Sequence, residues 1–165
     1  TASEQPDFDS TEGTLVFDKL AFNNLQTASQ ISLTGDFTIG MRCEPTSFSN
    51  VIIADNTTAN EFFKFTSTTN LRVKIGGVDK NISLDSGTFG DDYLIVTRRS
   101  GLLSLWQNGT LSPNTATLTG TALIDNIGVR AVDQTPYGGT IKEIQIYDTT
   151  STPLTNKVNQ RLASI

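Results

Sequence analysis

Histidine is absent from this 165-residue chain, and cysteine, tryptophan and methionine occur once each. The lack of histidine excludes Ser-His-Asp triads and imidazole metal sites. One cysteine excludes an internal disulfide framework. No apolar run approaches the roughly 20 residues of a membrane-spanning helix. The opening stretch, TASEQPDFDSTEG, has neither a basic start nor an apolar segment, so no signal peptide is expected. Basic runs are also missing and the net charge is −5, which argues against nucleic acid, whose affinity rests on phosphate neutralisation. Charged residues make up only 18% of the chain, while Thr, Ser, Asn and Gly abound. That balance belongs to turns and polar strand faces rather than to helices.

What is present is alternation. In DFTIGMRCE (36–44), Phe37, Ile39, Met41 and Cys43 share one face, and Thr38, Gly40 and Arg42 share the other. NLRVKIG (70–76) repeats the pattern with Leu71, Val73 and Ile75. EFFKF, KNISLD, TLVFD and LAFNNL read as further strands. DNIGVRAV (125–132) puts Ile127, Val129 and Ala131 on one face. In GTIKEIQIYD (139–148), Ile141 falls out of phase with Ile144 and Ile146, which predicts a bulge. Leu94 and Val96 alternate, as do Leu103 and Leu105, so Trp106 is expected on the outer face. Asn108-Gly109 marks a two-residue type I′ hairpin. Ten to twelve short strands at regular spacing predict an all-β sandwich or barrel. Only the end reads helical, with Thr155 as N-cap and Val158 and Leu162 on one face. Residues 1–13 read as a polar N-terminal arm and residues 14–165 as the sandwich domain.

Three stretches resemble a known family. FTIGMRCEP (37–45), YLIVTRRSGLLSLWQNGTL (93–111) and the closing GGTIKEIQIYDTTSTPLTNKVNQRLASI (138–165) are similar, in order and spacing, to laminin-G-like domains of the concanavalin A-like lectin/glucanase superfamily. Gly139, Glu143, Tyr147 and Leu154 fall where the closing motif has them. The resemblance implies an all-β, concanavalin A-like jelly-roll sandwich of two antiparallel sheets, with a short C-terminal helix. It implies no single activity, since the superfamily holds lectins, glycoside hydrolases, adhesion modules and virion proteins. The chain departs from the family at Cys43, where many relatives carry an aromatic or apolar residue, and in being a lone domain without an export signal.

The hydrolases of that superfamily carry an E-x-D-x-x-E strand. Here Glu143 to Asp148 puts Gln145 at the middle position, and Asp148 reads onto the opposite face. Paired carboxylates across a glycosidic bond are therefore not expected, and the chain reads as a non-enzyme. Cys43 lies on an apolar face with no base to activate it and reads as a buried, inert thiol. No cofactor is expected. Calcium is common at the rim of laminin-G-like domains, and Asp55, Asp91, Asp92 and Asp133 are the oxygens it would use, but ordinary turn formation is the preferred reading. Tyr137, Trp106 and Tyr93 are candidate platforms for a sugar, with Tyr137 placed in a loop. Arg98 and Arg99, adjacent on a strand, point to opposite sides. With Arg42 and Arg130 they are candidates for contact with a partner protein.

Two functions follow. The leading expectation is a virion accessory protein on the virion surface, a bacteriophage decoration or tail-associated protein touching capsid or tail proteins and sister copies. The alternative is an extracellular carbohydrate-binding or adhesion module that recognises a surface glycan.

Overall fold

The computed structural model describes residues 4–57, 62–84, 90–130 and 135–165. Fourteen strands and one helix occur among them. In chain order they are β1 (Asp7–Asp9), β2 (Thr14–Phe17), β3 (Leu25–Leu33), β4 (Phe37–Pro45), β5 (Val51–Ala54), β6 (Phe62–Ser67), β7 (Asn70–Ile75), β8 (Val78–Ser83), β9 (Asp92–Arg99), β10 (Leu102–Gln107), β11 (Thr110–Leu111), β12 (Ala116–Thr117), β13 (Ala122–Ile127), β14 (Gly139–Tyr147) and α1 (Thr152–Ala163). One sheet runs β1-β2-β14-β4-β9-β10-β11, with β12 also on β10. The other runs β3-β13-β5-β6-β7-β8. The described pairings within both sheets are antiparallel.

The alternation explains the packing. Phe37, Ile39, Met41 and Cys43 of β4 are at most 1% exposed and meet Phe63, Phe65, Leu71, Val73 and Ile75 of the facing sheet in one apolar core. Phe37 and Phe63 join the sheets edge to face, 6.4 Å between ring centres. On β14 the pairing with β4 slips between Ile141 and Glu143, the bulge that the out-of-phase Ile141 predicts. The outcome is the expected sandwich of two antiparallel sheets with a C-terminal helix.

Several local expectations need correction. The boundary after residue 13 falls inside a hairpin, because β1 pairs with β2 through Asp7↔Val16 and Asp9↔Thr14. The Asp9 carboxylate accepts from Thr11 N and Glu12 N, which reverses the chain there. Residues 20–24 do not form a strand, and of LAFNNL only Leu25 belongs to one, as the first residue of β3. Asp18 N donates to Asn23 Oδ1 and Leu20 N to Asp18 Oδ1, and these local bonds bend the segment before β3 begins. β13 starts and ends earlier than DNIGVRAV, stopping at Ile127 before Gly128 at φ +99°. Ala131 lies outside the described residues. The helix is capped by Ser151 rather than Thr155: Ser151 Oγ accepts from Leu154 N, and Pro153 sits in the first turn, where no N–H is needed.

Candidate functional site

The outer face of β9 and β10 is set by strand register. Pairing Arg99↔Leu102, Thr97↔Ser104 and Ile95↔Trp106 places these six side chains on the face opposite Leu94, Val96, Leu103 and Leu105. Type I′-like turns close both ends of β10. Ser100 and Gly101 have φ of 51° and 81°, and Asn108 and Gly109 have 50° and 80°. Trp106 therefore projects outward, as its phase predicts.

Helix α1 lies on this same outer face. Val158 and Leu162 are buried against Tyr93 and Ile95, with Trp106 half-buried beside them. Gly40 of β4 makes the close approach possible, since a Cβ there would sit 2.4 Å from Val158 Cγ1. Arg42 Nη1 donates to the Leu162 carbonyl at 3.0 Å. Tyr93 Oη donates to Asn159 Oδ1 at 3.0 Å, and Arg161 grips Glu143, with Nη2 at 2.6 Å from Oε2.

Where the helix begins, a cleft of about 310 Å³ opens between it and the β9–β10 face. Its walls are Trp106, Ser104, Leu102, Thr97 and Arg99 on the sheet side, and Thr150, Ser151, Thr152, Thr155 and Asn156 on the other. That volume is at the small end of ligand pockets. None of the described lining residues is acidic. Thr97 is 5% exposed, yet its hydroxyl makes no hydrogen bond with any described residue. The same holds for the Ser104 hydroxyl, the Trp106 indole N–H and the Arg99 guanidinium. An indole N–H, two hydroxyls and a guanidinium thus stand around one cleft without a hydrogen bond to any described residue.

Of the three candidate sugar platforms, Trp106 alone lines the cleft. Tyr137 is fully buried: the loop turns inward, its ring meets Phe17 edge-on at 5.8 Å, and its hydroxyl donates to Thr140 O. Tyr93 is 9% exposed and lies under α1. Burial pushes both phenols upward in pKa and drives the Cys43 thiol up to about 12, which leaves it protonated and inert.

Among the candidate contact arginines, Arg98 points into the sandwich and is 2% exposed, so it cannot reach a partner. Its guanidinium donates to the Leu33, Gly35 and Gly120 carbonyls and lies 4.8 Å from the centre of the Phe37 ring. Arg42 is committed to Asp91, through contacts of 3.1 and 2.9 Å, and to the helix. Arg130 is half-buried after β13. Arg99 is exposed.

The candidate calcium oxygens are dispersed. Asp91 accepts from Arg42 and Lys142. Asp92 accepts from Gln107 Nε2 and Asn108 Nδ2 and so braces the hairpin. Asp55 is buried and accepts from Gln30 Nε2 and Thr57 N, beside Asp125, which accepts from Asn56 N and Thr57. Asp133 lies outside the described residues. Among the described residues no three Asp, Glu or Cys side chains cluster as a metal-ion site. Glu143 of the motif compared with hydrolases is held by Arg161 and Gln145, and the exposed Asp148 follows the strand.

Hydrogen bonds from Arg42 hold the Asp91 carboxyl below its usual range, and those from Arg161 do the same for Glu143. Groups with lowered folded pKa contribute stability that is present above their unfolded value and lost as pH falls through the folded one. Melting temperature is therefore expected to drop as pH falls below about 4, with little change from these groups between pH 5 and 8. Asp91→Asn and Glu143→Gln should each flatten the acid limb in a melting series. An acid limb that neither substitution changes would show that these pairs do not couple to folding.

No protein-family model and no curated protein sequence matches the chain. Solved structures do match in fold. Domain 4 of the extracellular arabinanase AbnA from Geobacillus stearothermophilus, in complex with arabinotriose, aligns with a TM-score of 0.59 at 16% identity, over 96% of this chain and 80% of that one. A putative carbohydrate-binding protein from Bacteroides ovatus aligns at 0.58 and 14%, over 82% of this chain and 43% of that one. Domains LG4-5 of the mouse laminin α1 chain align at 0.56 and 12%, over 88% of this chain and 44% of that one. The chain spans less than half the length of the last two. The fold is thus a jelly-roll sandwich of two antiparallel sheets, similar to these structures. None of these three is a virion protein, and the expected capsid or tail partner gains no support from them.

Proposed function

We propose that the protein is a non-catalytic carbohydrate-binding module that works outside the cell and holds a short glycan in the Trp106 cleft. The observation that carries this reading is the set of unused hydrogen-bonding groups around that cleft. A sugar ring offers an apolar face for an indole and hydroxyls for Thr97, Ser104 and Asn156. Binding without turnover fits the lining, because glycoside cleavage by the common routes needs two carboxylates and the described lining residues include none. The likeness in fold to an arabinotriose-bound domain and to a putative carbohydrate-binding protein agrees with this reading.

Trp106 is the chain's sole tryptophan, so intrinsic fluorescence reports on the cleft directly. A glycan selected from an array is expected to shift that emission on titration. Trp106→Ala should weaken its binding at least about tenfold, measured by calorimetry below the melting temperature of both proteins. A blank array with unchanged emission, or full affinity in the variant, would overturn the reading.

A further inference from the structure

Building on the glycan-binding reading, we propose that the ligand carries an acidic group, a uronate carboxylate or a sulfate ester, and that Arg99 receives it. Arg99 is the sole charged residue among the described residues lining the cleft. Unlike Arg42, Arg98 and Arg161, whose guanidinium donors are taken by carboxylates or carbonyls, it makes no hydrogen bond or ion pair with any described residue. A planar guanidinium with free donors matches the two oxygens of a carboxylate or sulfate. The protein as a whole is acidic, so a cleft lined by one unpaired cation and no anion is a local reversal of its charge. The opposite wall adds to it. α1 starts there and has no acidic residue in its first turn, so its partial positive charge is left uncompensated. Thr97, paired with Ser104, lies between Arg99 and Trp106 on the same face, and its hydroxyl makes no hydrogen bond with any described residue.

Register also sets where the acid belongs. Arg99 and Trp106 stand four residue pairs apart along the β9–β10 ladder, roughly 13 Å of strand. One sugar ring cannot stack on Trp106 and also present its acid to Arg99's backbone position. The long arginine side chain closes part of that distance, and the acidic unit is then a neighbour of the stacked one in an oligosaccharide.

The test titrates the whole chain with matched oligosaccharides in three arms: neutral, uronate-containing and sulfated. Wild type should bind at least one acidic arm about tenfold or more tighter than the neutral arm, with the preference shrinking as salt rises. Arg99→Gln should erase the preference, bringing the acidic arms to the affinity that the same variant shows for the neutral arm, with the melting temperature unchanged. Arg99→Lys should restore part of it, because charge survives without the planar fork. Preference for the uronate arm that disappears in acid, where the carboxylate protonates, assigns the carboxylate. Preference that persists there assigns the sulfate. Equal binding of all three arms, or a preference untouched by Arg99→Gln, would overturn the acidic ligand and leave the glycan module standing. Absence of binding in every arm, with no change in Trp106 emission, would remove both. Arg72→Gln on the other sheet serves as the control for bulk charge and should leave every arm unchanged.

Discussion

Arg98→Met is expected to destabilise the protein by about 3 kcal/mol or more, read as a lower urea midpoint with an unchanged slope. The guanidinium is buried at one end of the sandwich and donates to three carbonyls from two remote segments: Leu33 and Gly35 before β4, and Gly120 before β13. Burial works against the charge and lowers the Arg98 pKa. Three carbonyl acceptors and the Phe37 face offset that cost. Methionine fills much of the volume but leaves the three carbonyls without their donor, so the loss exceeds that of the side-chain contact alone. Lysine has no fork to reach acceptors spread around a plane, and Arg98→Lys should recover only part of the loss. The adjacent Arg99 gives the contrast. Its replacement should move stability by no more than about 0.5 kcal/mol, as at an exposed position without partners. Equal midpoints for the Arg98 and Arg99 variants would refute the division of labour between them.

That contrast also marks how far the sequence could be read. Period-2 alternation placed Phe37, Ile39, Met41 and Cys43 inside and Trp106 outside, because side-chain direction on a strand depends only on position parity. Parity likewise sends Arg98 and Arg99 to opposite faces. It does not say that the inward arginine finds acceptors, because those carbonyls lie far away in the chain and meet it only once the sheets close. Tyr137 misled for the same reason: Pro136 and Gly138-Gly139 read as an exposed loop, yet the ring is drawn onto Phe17. β3 escaped notice because its apolar residues, Leu25, Ile31 and Leu33, are separated by mostly polar positions with no sustained alternation. The cleft was half legible. Its sheet wall follows from register, whereas its other wall, Thr150 to Asn156, arrives through the docking of α1. The available signal was Gly40, a residue with no side chain on the outward face of the strongest strand, opposite a C-terminal helix.

Gly40→Ala tests that docking. The added Cβ would lie 2.4 Å from Val158 Cγ1 and 3.0 Å from Leu162 Cδ1. Leu162 can turn its chain end aside, but the Val158 methyl is fixed close to the helix backbone by a branched Cβ. The helix must therefore lift or shift. A shift strains the Arg42 bond to the Leu162 carbonyl and the Tyr93 bond to Asn159, and it exposes two side chains that are now at most 1% exposed. An overpacked contact of this kind costs about 1–3 kcal/mol. Because Thr150 to Asn156 form the far wall of the cleft, the same shift should alter Trp106 emission and weaken glycan binding without touching a lining residue. Val158→Ala removes the methyl that clashes, so the double variant should be more stable than the sum of the single losses predicts. Additive losses, with Trp106 emission unchanged in Gly40→Ala, would mean that the helix does not set the cleft.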